Sequence, residues 1–493
     1  MAMTTLNDLC GFSALGGDAG GMVVAGLTAD SREVKPGYLF AALSGTRTDG
    51  TGFIADALAR GAIAILARDD AAIETPDDIA VIHNENPRRM LALMAARFYA
   101  RQPEIAAAVT GTNGKTSVAS FLRQIWEAAG IAGASLGTTG IMVRGETEPL
   151  IYTTPDPVSL HARLAGLAER GVTHLALEAS SHGLAQYRLD GVRLAAGAFT
   201  NISRDHLDYH PDFEDYFAAK MRLFAELLKP GQPAIIDADS EAGERAAGIA
   251  RARGLKVVTV GHQGKDLRLE ASERDGFGQR LHISFRGEPR DLFIPLAGDF
   301  QASNVLVALG LAISTGVEPG DAFAAAEGLT GAKGRLEQVG QASAGGPIFI
   351  DYAHTPAALE NAIAALRPYV TGKLHVVFGC GGDRDKGKRP EMGAIAAGLA
   401  DRVYVTDDNP RGEEPAVIRA EVLAGAPGAV EIGDRREAIA AAIDAMAAGD
   451  LLLVAGKGHE TGQIIGDRTI PYSDHEAVAT LLNGAGEGKV RHG

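Results

Sequence analysis

The sequence has few cysteines, few aromatic residues and no long apolar run. Cys10 and Cys380 are the only cysteines among 493 residues. They lack metal-ligand spacing and lie far apart in sequence, so we expect a reducing compartment and no disulfide framework. No run of about 18 apolar residues occurs, and residues 1–9 lack a cationic segment followed by an apolar one, which argues against a membrane span and a secretion signal. We therefore expect a cytoplasmic protein.

Positive charge is also in deficit. The 47 Lys and Arg residues stand against 62 Asp and Glu residues, a net charge of −15, which argues against non-specific binding to nucleic acid or to anionic membranes. Hydrophobic residues make up 46% and aromatic residues only 5%, so the core is built mainly from Ala, Val, Leu and Ile. A chain of this length exceeds one hydrophobic core, and at roughly 100 to 200 residues per domain it predicts about three domains.

The strongest motif is a candidate phosphate-binding loop at residues 109–117, Val-Thr-Gly-Thr-Asn-Gly-Lys-Thr-Ser. A buried strand precedes it, its two glycines permit a tight turn, and residues 118–128 have the apolar spacing of a helix. This order places backbone N–H groups around a phosphate, with Lys115 as a cation and Thr116 as a hydroxyl for Mg²⁺. Val109 stands where the usual P-loop has glycine, so the turn is a shortened variant. An ordinary glycine turn would explain the glycines but not the adjacent Lys-Thr pair.

Strands and helices alternate regularly from this loop onward, which predicts a parallel sheet with ligands outside the carboxyl ends of its strands. The predicted strand 174–177 leads to Glu178, and a later strand leads to His206. Each residue alone has a structural explanation, but beside a P-loop they form a candidate Mg²⁺ site. Lys220 lies midway along a helix predicted at 212–228, where a lone lysine is usually exposed to solvent.

The last third of the chain again alternates strands with polar loops. The predicted strands, each with the loop that follows it, are 348–350 with 351–354, 374–378 with 379–386, 402–406 with 407–411, and 451–455 with 456–460. Four charged strand ends in one domain predict a substrate crevice, although each loop alone could be a solvated turn.

Taken together, these motifs resemble those of the Mur ligase family, the ATP-dependent amide-bond-forming enzymes of peptidoglycan precursor synthesis. The segments that carry the resemblance are 110–116, 178–183, 200–210, 351–356, 379–390 and 408–411. The resemblance spans nearly the whole chain and implies an α/β fold of three domains. These would be a UDP-substrate-binding domain at 1–101, a central P-loop ATPase domain with a parallel sheet at 102–332, and a C-terminal Rossmann-like, amino-acid-binding domain at 333–493.

The resemblance also implies the residues of the nucleotide and metal sites. The expected ATP-binding residues are Gly111, Thr112, Asn113, Gly114, Lys115, Thr116, Ser117, Asn304, Arg335 and Asp351. The expected metal ligands are Thr116, Glu178, His206 and a carbamylated Lys220, and the expected catalytic residues are Lys115, Lys220, His206 and Arg335. Gln301 departs from the asparagine that is common beside the adenine in close relatives.

Two substrate sites follow from the same resemblance. The UDP-linked substrate would contact Ser31, Thr153, Thr154, Ser180, Gln186 and Arg188. The incoming amino acid would contact Arg384, Asp408, Asn409, Pro410, Arg411, Gly456 and Glu460. The tetrapeptide at 408–411 is typical of the members that add meso-2,6-diaminopimelate.

The implied reaction joins this amino acid to the D-glutamyl γ-carboxylate of UDP-N-acetylmuramoyl-L-alanyl-D-glutamate, with ATP and Mg²⁺, through an acyl phosphate. We expect a monomer with no nucleic-acid partner. Four alternatives remain open: a lysine-adding Mur ligase, folylpolyglutamate synthetase, a nucleotide-switched binding protein, and a small-molecule kinase.

Overall fold

The computed structural model describes residues 4–11, 17–45, 49–206 and 209–487, so residues 207 and 208 of the motif at 200–210 lie outside it. The chain forms two compact units. The first contains Met1–Glu270, Ile283–Arg290 and Ser303–Ala325, and the second contains Ala271–His282, Asp291–Ala302 and Ala326–Gly493. No helix in the described ranges combines the length and the apolar character that a membrane crossing requires.

The first unit begins with a small parallel sheet. Its elements are α1 (Leu6–Cys10), β1 (Gly26–Thr28), β2 (Tyr38–Ala41), α2 (Ile54–Ala59), β3 (Ala62–Arg68), β4 (Ala80–Asn84) and α3 (Pro87–Tyr99). The strands lie in the order β1-β2-β3-β4, and all neighbours are parallel. Consecutive residues of β3 enter different apolar clusters, Leu66 on one face and Ile65 on the other. Burial on both faces explains why the strand is apolar throughout rather than alternating.

A larger sheet follows, and its strands carry the phosphate-binding loop. The elements are β5 (Ile105–Thr110), α4 (Lys115–Ala128), β6 (Gly133–Gly137), β7 (Gly140–Val143), β8 (Glu146–Glu148), α5 (Pro157–Glu169), β9 (His174–Glu178), α6 (Ser181–Ala185), β10 (Leu194–Phe199), α7 (Phe213–Arg222), β11 (Pro233–Asp237), α8 (Glu241–Ala252), β12 (Lys256–Gly261), β13 (Leu267–Asp275), β14 (Gly278–Phe285), β15 (Glu288–Ile294), α9 (Phe300–Ser314) and α10 (Pro319–Ala326). From β12 the order runs β12-β11-β10-β5-β9-β6-β7-β8.

The strands around β5 are parallel, as the sequence predicts. Strands β7 and β8 differ, because they continue the sheet as antiparallel hairpins from β6. Only Thr138 and Thr139 connect β6 to β7, a link too short for the crossover that a parallel pair requires.

The register of the central strands brings three loops to one edge. Val109 pairs with Glu178 of β9, and Thr110 pairs with Phe199 of β10. The phosphate-binding loop therefore lies between the segments that follow Glu178 and Phe199, which is the arrangement expected at the carboxyl ends of parallel strands.

The helix predicted at 212–228 has two parts. The α-helix α7 begins after Asp212, whose side chain accepts a hydrogen bond from the Asp215 N–H, and it ends at Arg222. One π-helical turn, Leu223–Leu227, continues it. Helical spacing does not distinguish these forms over a single turn, since both bury one side of the helix.

The second unit contains the C-terminal sheet. Its elements are β16 (Glu337–Gln341), β17 (Pro347–Asp351), α11 (Pro356–Leu366), β18 (Leu374–Phe378), α12 (Lys388–Leu399), β19 (Arg402–Val405), α13 (Pro415–Leu423), β20 (Val430–Glu431), α14 (Arg435–Asp444), β21 (Leu451–Ala455), β22 (Gly462–Ile465), β23 (Arg468–Pro471) and α15 (Asp474–Glu487). The sheet order is β16-β17-β21-β18-β19-β20, parallel except for β16, and β22 and β23 form a separate hairpin. The four predicted strands of this region are confirmed to within one residue at each end.

One buried imidazole in the first unit makes stability depend on pH. The Nε2 of His161 lies 3.1 Å from the backbone oxygen of Asp190, and burial lowers the pKa of His161 to about 4. As the pH falls below about 6.5, His161 becomes protonated in the unfolded chain before it does so in the folded protein. This difference lowers the free energy of unfolding by about 2 kcal/mol at pH 5. We expect thermal unfolding midpoints at pH 7.5 and pH 5 to differ less for His161→Gln than for the wild type. Equal differences would contradict this assignment.

Candidate functional site

The phosphate-binding loop is a tight turn between β5 and α4. Gly111 and Gly114 adopt φ values of +151° and +86°, and a Cβ at either position would collide with a neighbouring side chain, Thr200 or Asn304. The loop also bonds to the segment after β10, because the Thr112 N–H donates to the Asn201 carbonyl at 2.8 Å. The two glycines are therefore required by both conformation and space.

The predicted phosphate-binding residues all lie in this turn or in the first turn of α4. They are Gly111, Thr112, Asn113, Gly114, Lys115, Thr116 and Ser117. The Lys115 Nζ donates to the Gly111 and Thr112 carbonyls, each at 2.8 Å, so its positive charge lies over the loop. Asn304 lies beside Gly114, on α9, and its role in nucleotide binding stays a prediction.

Glu178 is a buried carboxylate next to the first turn of α4. Its Oε2 accepts hydrogen bonds from the hydroxyls of Thr116 at 3.0 Å and Thr138 at 3.2 Å, and its Oε1 accepts one from the Thr138 N–H at 2.7 Å. The side chain is held in one orientation at 1% exposure. Sequence reasoning missed Thr138, although the Gly-Thr-Thr-Gly turn at 137–140 is a polar strand end of the same kind as the others.

Four of the predicted contacts to the UDP-linked substrate, Thr154, Ser180, Gln186 and Arg188, form a hydrogen-bonded set beside Glu178. The Thr154 hydroxyl donates to the Glu178 carbonyl at 2.9 Å and lies 3.0 Å from the Ser180 hydroxyl. Arg188 donates to the Thr154 carbonyl at 2.6 Å and to Gln186 Oε1 at 2.7 Å. Through Thr154, the structure brings these residues and the phosphate-binding loop to one edge of the sheet.

Thr153 and Ser31 extend the predicted substrate contacts in different ways. The Thr153 hydroxyl lies 3.0 Å from that of Thr138 and so joins the set around Glu178. Ser31 begins the short turn Ser31–Glu33 that follows β1 of the N-terminal sheet, and it is buried. It therefore lies outside the large sheet that carries the other contacts.

Lys220 is buried. The expectation that a lone lysine on this helix is exposed to solvent is therefore wrong. Its exposure is 1%. The Nζ donates to the Gly111 carbonyl at 2.8 Å and lies 4.3 Å from the ring centre of Tyr216. Burial, together with the positive charge of Lys115, lowers the pKa of Lys220 to about 6. The amine is consequently neutral at pH 7, directly beneath the phosphate-binding loop.

Tyr216 connects Lys220 to the loop and to His206. Its hydroxyl lies 3.0 Å from the Thr112 hydroxyl, and its ring centre lies 6.0 Å from that of His206. Tyr216 is four residues before Lys220 and shares its helix face, which is the signal that could have identified it from sequence. His206 is half-exposed and has a φ of +54°.

In the second unit, Arg335 and Asp351 lie around Tyr352. The Arg335 Cζ is 4.9 Å from the Tyr352 ring centre. The Asp351 carboxylate accepts hydrogen bonds from the N–H groups of Leu336 at 2.6 Å and Ala353 at 2.8 Å. Burial raises the pKa of Asp351, and Arg335 partly offsets that rise. Gln301, which departs from the asparagine of close relatives, is buried.

The loop after β19 forms a polar pocket with the loop after β21. The Asn409 Nδ2 donates to Glu460 Oε2 at 2.9 Å, and its Oδ1 accepts from the Lys457 Nζ at 3.0 Å. Asp408 and Asn409 are buried. Arg411 donates to the Gly382 carbonyl at 3.0 Å and has a φ of +50°. Sequence reasoning missed the contribution of Lys457, which lies within the predicted loop 456–460.

Of three further residues predicted for this pocket, two lie at it and one lies in an exposed loop. Gly456 lies against Asp408, because a Cβ on Gly456 would be 2.6 Å from Asp408 Oδ2. Pro410 is buried between the pocket residues Asn409 and Arg411. Arg384 is exposed in the loop before α12. The structure therefore joins Gly456 and Pro410 to the set around Asn409, and its contacts do not test the role of Arg384.

Each of the two compact units carries a candidate site with its own chemistry. The edge of the large sheet offers N–H groups, a cation and a buried carboxylate, which suits a nucleoside triphosphate and its metal ion. The C-terminal pocket offers the carboxylates of Asp408 and Glu460 and the guanidinium of Arg411, which suits a ligand that carries both charges.

Comparisons with known proteins point to one family. Family profiles described as "Mur ligase family, catalytic domain", "Mur ligase middle domain" and "Mur ligase, glutamate ligase domain" match residues 23–99, 109–312 and 334–458. The UDP-N-acetylmuramoyl-L-alanyl-D-glutamate--2,6-diaminopimelate ligase of Brucella melitensis biotype 1 is 55% identical to this chain over 466 residues. The match covers 94% of this chain and 95% of that relative.

Solved structures show the same likeness. A structure of a UDP-N-acetylmuramoyl-L-alanyl-D-glutamate--2,6-diaminopimelate ligase has a TM-score of 0.73 and 31% identity, and the match covers 98% of this chain and 99% of that one. A MurF ligase from Thermotoga maritima in complex with ADP has a TM-score of 0.60 and 18% identity, with 94% and 98% covered. The second likeness concerns the fold alone.

Proposed function

The chain belongs to the Mur ligase family, and from this premise we propose that it adds meso-2,6-diaminopimelate to the γ-carboxylate of UDP-N-acetylmuramoyl-L-alanyl-D-glutamate. It is an ATP-dependent, amide-bond-forming ligase of peptidoglycan precursor synthesis. The observation that carries the choice of amino acid is the pocket at 408–411, where Asp408, Asn409 and Glu460 lie together beside Arg411. The 55% identity to the diaminopimelate ligase of B. melitensis supports the same choice.

The reaction begins with activation of a carboxylate, which is a poor electrophile. The D-glutamyl γ-carboxylate attacks the γ-phosphorus of ATP, so that a carboxyl oxygen–phosphorus bond forms and ADP leaves. Both reactants are anions, and their repulsion is the main obstacle. In this proposal, the N–H groups of the turn at 111–114 and the ammonium of Lys115 bind the phosphate oxygens, and Arg335 supplies a further positive charge.

The second step forms the amide bond. The amine of diaminopimelate attacks the acyl carbon, a tetrahedral intermediate forms, the amine loses a proton, and phosphate leaves with the electrons of the acyl carbon–oxygen bond. The pocket at 408–411 binds the amino acid and so converts a reaction between separate molecules into one between oriented groups.

The residues near Thr116 fit Mg²⁺. The Thr116 hydroxyl and the Glu178 carboxylate are adjacent oxygen donors, 3.0 Å apart, of the kind that Mg²⁺ prefers. In the described part of the chain, no three His, Cys, Asp or Glu side chains group as metal ligands. We assign Thr116, Glu178, His206 and a carbamylated Lys220 to this site. When bound, the ion would neutralise charge on the phosphate oxygens.

Carbamylation of Lys220 is supported by the state of its amine. A neutral amine attacks carbon dioxide, forming a nitrogen–carbon bond and releasing one proton, and the product is an anionic carbamate. The pKa of about 6 keeps Lys220 neutral at pH 7, and its position beneath Gly111 would place the carbamate beside the phosphate-binding loop.

Arg411 provides a test of the amino-acid choice. Diaminopimelate has a second carboxylate where lysine has only an ammonium group, and a guanidinium binds the carboxylate while it repels the ammonium. We expect Arg411→Ala to lower kcat/KM for diaminopimelate at least tenfold, which corresponds to about 1.4 kcal/mol. Steady-state ADP release with each amino acid measures the effect. Unchanged kinetics with both amino acids would rule the assignment out.

The proposed function is tested by ADP release and amide formation with the UDP-linked dipeptide. We expect both to require diaminopimelate, with lysine a poor substitute. A lysine-adding enzyme would reverse this preference, and folylpolyglutamate synthetase would use a folate substrate instead. A small-molecule kinase would give a stable phosphorylated product without an amine, and a nucleotide switch would hydrolyse ATP without amide formation.

Several finer points are part of the same proposal. Ser31 would contact the uridine end of the substrate, while Thr153, Thr154, Ser180, Gln186 and Arg188 would contact the diphosphate and the peptidyl part. We place the reaction in the cytoplasm, which is consistent with two buried cysteines that remain free thiols. The monomeric state and the domain boundaries at 101 and 333 stay predictions.

A further inference from the structure

Lys457 is a fully buried lysine in the C-terminal unit. It lies two residues after the end of β21, has an exposure of 0%, and is among the largest fully buried side chains. A buried ammonium is costly unless charged and polar groups surround it. The groups around Lys457 therefore show how its buried charge is stabilised.

Those partners are the predicted diaminopimelate-binding residues. The Lys457 Nζ lies 3.0 Å from Asn409 Oδ1, 3.3 Å from Glu460 Oε2 and 3.6 Å from Asp408 Oδ1. It also donates to the Gly462 carbonyl at 2.7 Å. One ammonium thus contacts three pocket side chains that come from two different loops.

These contacts fix the orientation of the Asn409 amide. Because Lys457 and the Ile464 N–H both donate to Asn409 Oδ1, at 3.0 Å each, the Nδ2 group has to face Glu460, to which it donates at 2.9 Å. The Arg411 N–H in turn donates to the Ile464 carbonyl at 2.9 Å. The hairpin of β22 and β23 is therefore joined to the pocket at both Asn409 and Arg411.

The charge of Lys457 also balances the pocket. Asp408 and Glu460 would otherwise be two close carboxylates, and burial raises the pKa of Asp408 while Arg435 and Lys457 oppose that rise. The buried cation between them reduces the repulsion between the two carboxylates, whose oxygens can then accept hydrogen bonds from the ammonium group of an amino acid.

We propose that Lys457 is a positioning residue for the amino-acid substrate, which holds Asn409, Glu460 and Asp408 in the geometry and charge state that bind the ammonium and carboxylate groups of a diamino diacid. The inference rests on the proposed function. It predicts a defect confined to the amine-binding step, because the side chains that Lys457 contacts, Asn409, Glu460 and Asp408, all belong to the predicted amino-acid pocket.

Lys457→Met tests the proposal, since methionine fills a similar volume without the charge or the donors. We expect the KM for diaminopimelate to rise at least tenfold, while the KM values for ATP and for the UDP-linked dipeptide stay within about twofold of the wild type. We further expect wild-type rates when hydroxylamine replaces the amino acid, because this small amine attacks the acyl phosphate without using the pocket.

The control is His375→Gln. His375 is buried in the same sheet and lies 3.1 Å from Asp450, at the amino ends of the strands rather than the carboxyl ends. We expect it to lower the unfolding temperature without a selective rise in the KM for diaminopimelate. If Lys457→Met does not fold, Lys457→Gln carries the test, because its amide can still donate to the Gly462 carbonyl.

The outcomes separate the two claims. A wild-type enzyme that shows no diaminopimelate-dependent ADP release overturns the proposed function. A wild-type enzyme with that activity, together with a Lys457→Met variant whose KM for diaminopimelate is unchanged, overturns the role of Lys457. A proportional loss with diaminopimelate and hydroxylamine alike would also overturn it, since that result indicates general damage.

Discussion

Lys220→Ala is expected to lower kcat by on the order of 10³-fold or more, which corresponds to about 4 kcal/mol of transition-state stabilisation. The Lys220 amine lies 2.8 Å from the Gly111 carbonyl, beneath the phosphate-binding loop. In the proposed enzyme it carries a carbamate, so the substitution removes an anionic ligand of Mg²⁺ as well as a side chain. ADP release in the presence of both substrates measures the loss.

Rescue experiments separate a carbamate from a structural lysine. Short-chain carboxylic acids supply a carboxylate of the same charge to the space left in Lys220→Ala, and we expect them to restore part of the activity. Carbon dioxide donors should not, because the alanine variant has no amine to carbamylate. The control is Lys229→Ala, which removes an exposed lysine just beyond the same helix. A fully active Lys220→Ala enzyme would rule the role out.

The pKa of Lys220 adds a pH dependence to this prediction. Because that pKa is about 6, the amine is neutral above this value and becomes protonated as the pH falls through it. Only the neutral amine reacts with carbon dioxide, so we expect the carbamate to be lost below about pH 6. Carbon-13 NMR with labelled carbon dioxide reports the carbamate directly. A carbamate signal that is independent of pH between 5 and 8 would contradict the assignment.

Local pattern was enough to predict the phosphate-binding loop and the C-terminal strands. Each is a short apolar run followed by a polar loop, and its chemistry is carried by residues that are close in sequence, such as Lys115 and Thr116. Parallel strands then determine where such loops meet, because their carboxyl ends share one edge. For this reason the sequence alone predicts that Glu178 lies near Thr116, as the hydrogen bond between them shows.

Other features depend on contacts between distant segments, which a single sequence does not give. The burial of Lys220 requires β5 and the loop after it, roughly a hundred residues earlier in the chain. Lys457 is inconspicuous within a glycine-rich loop until Asn409 is brought to it from another strand end. The antiparallel β7 and β8 were also not predicted, since Thr138 and Thr139 are not typical residues of a tight turn.

Glu178→Gln addresses the other half of the proposed metal site, and we expect it to lower kcat by roughly 10²- to 10³-fold. The substitution keeps the shape of the side chain but removes its charge. In the wild type, both carboxylate oxygens of Glu178 accept hydrogen bonds, from Thr116 and from Thr138. In the variant, the amide nitrogen that replaces one of these oxygens cannot accept a hydrogen bond. At least one of these donors therefore loses its partner in the variant.

The dependence on Mg²⁺ distinguishes a metal ligand from a structural carboxylate in that variant. If Glu178 binds the ion, Glu178→Gln should need a higher Mg²⁺ concentration for half-maximal ADP release. A carboxylate that only holds Thr116 and Thr138 would lower the rate without changing this requirement. Glu169→Gln, which removes one exposed negative charge at the end of α5, controls for the change in net charge.

Since Thr116 and Glu178 are 3.0 Å apart, Thr116→Val should shift the Mg²⁺ requirement in the same direction. An unchanged requirement in both variants would remove Thr116 and Glu178 from the proposed site.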